Sequence, residues 1–110
     1  LKNAIELKPS FPEALYELGW CYNEIQQFKL AMPVLAKARQ LLPDDYRIIY
    51  ETGFAKAQLG MTNEALDDYN RVTTLNSSFS RVYVARADLY KELPVLFRNR
   101  IFLFFTGQIF

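Results

Sequence analysis

A stack of antiparallel helix pairs, an all-α solenoid, is the fold this sequence predicts, and three observations predict it. The first is self-similarity at a spacing of 34 residues: Leu1 meets Leu35 and Tyr69, Leu7 meets Leu41 and Leu75, Leu15 meets Ile49 and Tyr83, and Pro9 meets Pro43. The second is small residues in the same register, with Gly19, Gly53 and Ala87 at one position and Ala31 and Ala65 at another. The third is apolar spacing typical of helices, interrupted by Pro, Gly and Asn-Ser breaks. A period near 34 marks a helix-turn-helix unit that buries its apolar face only by stacking on its neighbours.

Six helical segments follow in order. The first covers about residues 1–7 and ends before Pro9. Ser10-Phe11-Pro12-Glu13 reads as a helix start, because Ser10 can cap a backbone N–H, Pro12 has none to lose in the first turn, and Glu13 can complete a capping box. The second helix then spans about 12–25, with Leu15, Leu18, Cys21 or Tyr22, and Ile25 on its apolar side. Gln26-Gln27 is a short turn, and a third helix covers about 29–42 before Pro43-Asp44-Asp45. Pro33 predicts a late start or a small kink there, since its missing donor is harmless only in the first turn. The fourth helix, about 46–59, closes at Gly60, a natural C-terminal cap. Thr62 or Asn63 can cap the fifth, about 63–75. Asn76-Ser77-Ser78 breaks the chain again, and a sixth helix runs over about 79–93 to Pro94.

Composition narrows the function. Half of the 110 residues are hydrophobic and 23% charged, as in an ordinary globular chain. The net charge of +1 gives no strong pull toward nucleic acid or anionic membranes. Charge is nonetheless uneven, with five basic and two acidic residues after residue 79 (Arg81, Arg86, Lys91, Arg98 and Arg100 against Asp88 and Glu92). There is no histidine, which removes the commonest general base and metal ligand near neutral pH. A lone cysteine, Cys21, cannot form an internal disulfide; it is expected buried and inert, and a reducing compartment fits best, cytoplasmic or alternatively nuclear. Asp44-Asp45 reads as a helix cap and Asp67-Asp68 as a solvated helix face. No phosphate-binding Gly loop, Cys cluster or calcium loop is present, so no catalytic, cofactor-binding or metal-binding residues are assigned and an enzyme is not expected.

With this register set, the repeats resemble the tetratricopeptide repeat family over residues 1–93. Counting from Pro12, the large residue falls on Leu15, the Leu-Gly pair on Leu18-Gly19, the Tyr on Tyr22, the small residue of the second helix on Ala31, then Leu35, Ala38 and the closing Pro43. The second unit repeats this with Ile49, Gly53, Ala65, Tyr69 and Val72, and departs with Thr52 for Leu, Lys56 for Tyr and Ser77 for Pro. A third has only its first helix, with Tyr83, Ala87 and Tyr90, and Arg86 in place of Leu. The resemblance implies a right-handed superhelical solenoid made of a partial repeat 1–11, full repeats 12–45 and 46–79, and a partial repeat 80–93. Small residues at Gly19/Ala31 and Gly53/Ala65 would let the two helices of each repeat approach closely.

The resemblance also implies a role: a protein–protein interaction scaffold that binds a partner's peptide or helix on its concave face. By position, that face would be lined by Glu13, Tyr16, Trp20, Asn23 and Glu24 in the first repeat, by Arg47, Tyr50, Phe54 and Gln58 in the second, and by Arg81, Val84, Asp88 and Lys91 in the third. Tyr16 and Tyr50 occupy equivalent positions, as do Trp20 and Phe54, and this aromatic strip either grips a partner or packs between repeats. Members of the family that clamp a chaperone's C-terminal carboxylate use Lys, Asn and Arg here. Tyr16, Trp20 and Glu51 stand at those places and only Arg81 resembles a clamp residue, so that subtype is disfavoured. Two other functions are kept as alternatives: RNA binding by the basic C-terminal third, and peripheral membrane association through residues 94–110. That tail is strongly apolar, with Phe97, Ile101, Phe102, Leu103, Phe104, Phe105, Ile109 and Phe110, but too short and too interrupted by Arg98 and Arg100 to span a bilayer. It packs on the sixth helix, is a non-native ending, or anchors to a membrane surface. Without a polar cap at either end, the array is expected to continue in a longer protein or to self-associate.

Overall fold

The computed structural model describes residues 11–91, which form five helices: α1 (Phe11–Glu24), α2 (Phe28–Leu41), α3 (Tyr46–Gln58), α4 (Thr62–Leu75) and α5 (Ser80–Lys91). The predicted helix over 1–7, the Ser10 cap, the end of the sixth helix at 93 and the tail 94–110 lie outside the described residues. α1 packs on α2 and α3 on α4, each pair antiparallel and joined by a short turn. α3 also touches α2, α1 and α5, so the first helices of successive repeats stand side by side and the second helices form the other layer. These are stacked helix-turn-helix repeats of a superhelical solenoid.

Turn chemistry sets these boundaries. α1 ends in a left-handed residue, Gln26 (φ 62°), with Gln27 N–H donating to the Tyr22 carbonyl at 2.8 Å and Gln26 N–H to that of Asn23 at 3.0 Å. α3 ends the same way 34 residues later: Gly60 has φ 85°, Met61 N–H donates to Lys56 O at 2.8 Å and Gly60 N–H to Ala57 O at 3.1 Å. This pair of bonds is the Schellman arrangement, which satisfies carbonyls the helix leaves open. Asp45 caps α3 as expected, its Oδ1 accepting the Arg47 N–H at 3.0 Å. Asn76 closes α4 and its Oδ1 accepts from Ser78 N–H (3.1 Å) and Oγ–H (2.8 Å), fixing the turn into α5.

Two helix starts differ from expectation. α2 begins at Phe28, with no late start; Pro33 sits inside it on an exposed position, where the ring points to water and only the bond to the Lys29 carbonyl is lost. Neither Thr62 nor Asn63 caps α4, because both are already helical; Met61 is the capping residue and makes no side-chain bond.

The core has two parts. Ile49, Tyr50, Ala65, Tyr69, Val72, Val82 and Leu89 form the larger one, between α3, α4 and α5. Ala31, Leu35 and Ala55 form the smaller, with Tyr22, Phe28 and Met32 packed against it. Close approach occurs where the small residues predicted it. A Cβ on Gly19 would overlap the Leu35 side chain, and one on Gly53 would lie 2.9 Å from Tyr69 Cε1 and 3.0 Å from Asp68 Cβ. Ala31 and Ala65 are fully buried. Cys21, expected buried, is only half-buried. Of the Asp67-Asp68 pair only Asp67 is solvated, while Asp68 is 5% exposed.

Candidate functional site

The side-by-side first helices α1, α3 and α5 carry the thirteen residues expected to meet a partner. At the N-terminal ends of α1 and α3, Arg47 is the organising group. Its guanidinium donates to Asp45 Oδ2 at 2.7 Å and to Glu13 Oε1 at 2.7 Å, and lies 4.7 Å from the centre of the Tyr16 ring. These bonds push the Arg47 pKa up, Asp45 first and Glu13 second. In return, the side-chain bond from Arg47 holds Asp45 below the usual carboxylate range. Tyr16 is half-buried, and burial raises its pKa.

Trp20 is exposed, with 39% of its surface open to water. Glu24 and Gln58 are exposed at the C-terminal ends of α1 and α3. Asn23 is not at the surface: it is 4% exposed and donates through Nδ2 to both the Glu51 carbonyl (3.0 Å) and Glu51 Oε1 (2.9 Å). Tyr50, 6% exposed, is also a packing residue. Its ring stacks on Phe54 (6.4 Å between centres) and on Tyr69 (5.9 Å), and meets Phe79 edge-on at 5.1 Å. Neither Asn23 nor Tyr50 is therefore freely offered to a partner. Asn23 is enclosed by the neighbouring first helix α3, and Tyr50 by Tyr69 of α4 and Phe79 of the turn before α5.

α5 supplies the most open part of this face. Arg81, Val84, Asp88 and Lys91 are all exposed, and Asp88 lies 3.7 Å from Lys91. Between α3 and α5 is a cavity of about 320 Å³ lined by Tyr50, Phe54, Ser80, Arg81, Val84, Ala85 and Asp88. Five of these seven belong to the predicted set. Arg81 lies over the Tyr50 ring, its guanidinium carbon 5.1 Å from the ring centre. A second, smaller cavity of about 70 Å³ continues past Phe54 to Gln58 and Leu89. Aromatic floor, exposed aliphatic wall and charged rim can together hold an apolar side chain and pair a charge beside it.

Two buried acidic groups were missed as such. Glu51 is 4% exposed, and loss of water pushes its carboxyl up, while the Asn23 bond and the charge of Arg81 act in the opposite direction. Asp68 pairs with Arg39 of α2 (3.0 Å) and Lys56 of α3 (3.0 Å), so one carboxylate ties three helices together. The available signal was Lys56 at a position the family fills with Tyr, since a cation there asks for a buried anion. Among the described residues no three His, Cys, Asp or Glu side chains could hold a metal, and no helix is long and apolar enough to cross a membrane.

Comparison with known proteins agrees with the fold. Residues 13–45 match the tetratricopeptide repeat model. Over 87 residues the chain is 26% identical to anaphase-promoting complex subunit 6 of Dictyostelium discoideum, a match covering 78% of the chain but 10% of that protein. Among solved structures, a point mutant of MamA superimposes with a TM-score of 0.69 at 27% identity, covering 76% of this chain and 61% of that one. The chain thus spans about a tenth of the curated relative it matches. The 34-residue period, the stacked helix pairs and these matches agree: the chain is a helical array similar to the tetratricopeptide repeat family, with one repeat, residues 13–45, matched by the family's own pattern.

Proposed function

We propose that the chain binds a segment of a partner protein, a peptide or helix, along the concave face made by α1, α3 and α5. The single observation that carries this reading is the exposed indole of Trp20 on the same row of helices as the aromatic cavity of Tyr50 and Phe54. A large aromatic side chain left in water on a rigid helix is the usual anchor of a protein interface, because it buries much area at little conformational cost. The aromatic strip thus divides its work: Tyr50 packs by most of its surface and closes the floor of the cavity, and Trp20 and the open side of the cavity receive the partner. The one cysteine fits a reducing compartment, the cytoplasm or the nucleus.

Affinity capture from a cell extract tests the reading, with wild type beside Trp20→Ala and beside Lys37→Glu on the exposed side of α2. Circular dichroism first checks that all three are equally helical. Partners that fall about tenfold or more with Trp20→Ala and persist with Lys37→Glu support binding on the concave face. The reverse pattern moves the site to the second helices.

A further inference from the structure

We infer that the cavity between α3 and α5 is a subsite for an extended partner segment that carries an acidic residue, then an apolar one, then a basic one. The inference rests on the concave-face reading and adds the chemistry of the occupant. The floor of the cavity is aromatic, from Tyr50 and Phe54, and its α5 wall includes Val84, which is 64% exposed. An aliphatic or aromatic side chain entering there would cover Val84 and lose its own water, a favourable exchange on both sides.

The two ends of the cavity carry opposite charges. Arg81 stands at one end with its guanidinium over Tyr50. Among the described residues no carboxylate lies within 4 Å of it, whereas Arg39, Arg47, Lys56 and Arg71 each have one. Its place beside the ring holds the planar donor fork at the mouth of the cavity, where a two-point bond to a carboxylate can form. Arg81 also sits in the first turn of α5, where the helix dipole favours an incoming anion. Asp88 stands at the other end; its contact with Lys91 joins two strongly exposed groups at 3.7 Å and is readily exchanged for a partner's cation. A carboxylate at that end also opposes a polyanion laid along the cavity. Seven residues separate Arg81 from Asp88, about 10.5 Å along the helix. An extended chain covers that in about three residues. Acid and base should therefore be three positions apart, with the inserted side chain between them.

The test is a displayed library of random twelve-residue peptides selected on the whole chain. Enriched peptides are then resynthesised and titrated against wild type, Arg81→Glu, Val84→Glu and Trp20→Ala. All three positions are exposed, so each variant should keep wild-type helicity by circular dichroism. Enrichment of the acidic–apolar–basic pattern is expected, with about a tenfold or greater loss on Arg81→Glu and on Val84→Glu. Changing the peptide's acidic residue to Lys should recover binding to Arg81→Glu. Peptides that ignore Arg81→Glu and Val84→Glu but fail on Trp20→Ala would overturn the subsite while leaving the concave-face reading standing. Peptides indifferent to all three variants would overturn both, and a library without binders would overturn the subsite.

Discussion

The two full repeats are written in one 34-residue code, yet they hold together differently. In the first, α1 buries only Ala14, Gly19 and Asn23, while Trp20 is 39% exposed and Leu30 of α2 50%. In the second, α3 buries seven residues, Ile48 to Gly53 with Ala55, because helices flank it on both sides. Equivalent residues change roles accordingly. Glu17 is exposed and Glu51 buried; Trp20 is exposed and Phe54 half-covered by Tyr50 and Phe28. The Tyr22 and Val34 of the first repeat become Lys56 and Asp68 in the second. Position in the stack, more than the repeat code, decides which side chains stay exposed.

The largest test of this contrast exchanges one repeat's solution for the other's. Asp68→Val alone leaves Lys56, whose side chain is 16% exposed, with only the exposed Glu64 carboxylate at 3.8 Å in place of the close Asp68 pair. Breaking a buried ion pair on one side destabilises strongly, and with Arg39 partly in water the loss should be about 3 kcal/mol. The double change Lys56→Tyr with Asp68→Val rebuilds the first repeat's apolar pair, in which Tyr22 packs against Ala31 and Leu35. Buried ion pairs are often replaced by apolar side chains without loss, so urea unfolding should return to within about 1 kcal/mol of wild type. A double variant no better than Asp68→Val would show that the ion pair is not interchangeable with the apolar one.

A smaller effect separates the two turns. Gln26 and Gly60 close α1 and α3 with the same pair of bonds, but only one is glycine. A side chain in the left-handed region strains its own backbone. Gln26→Gly should therefore stabilise by about 0.5–1 kcal/mol, and Gly60→Ala should destabilise by about 1 kcal/mol, a Cβ at Gly60 meeting nothing within 4 Å. Thermal unfolding of the two variants reads both signs, and equal signs would break the equivalence of the turns.

How much of this was legible follows the same division. The helix pairs, the Asp45 cap, the Gly60 turn and the close approach at Gly19 and Gly53 depend on local chemistry and on a periodic pattern, both written in the chain. Burial of Asn23, Tyr50, Glu51 and Asp68 depends on which helix lies alongside, and a period of 34 residues does not carry that. Asp68 looks like one more acidic residue on a polar face until Arg39 and Lys56 converge on it from two other helices. Of the candidate groove, the helices and the row of residues could be read, but the division between packing aromatics and available ones could not.

The subtlest difference is between the two equivalent glutamates, and pH reveals it. Burial raises the Glu51 carboxyl in the folded state, so folding favours its protonated form. Whatever stability this form contributes is complete below the ordinary glutamate value of about 4.3 and is lost as pH rises through the higher folded value. At pH 7 the buried carboxylate is therefore a net burden relative to a neutral isostere. Glu51→Gln keeps an oxygen to accept from Asn23 and removes the charge, so it should raise the unfolding midpoint at pH 7 and lose this advantage near pH 4. Glu17→Gln, exposed at the equivalent position of α1, should change nothing at either pH. A Glu51→Gln gain that does not shrink on acidification would mean the effect is packing and not charge, and the two repeats would differ less in electrostatics than their burial implies.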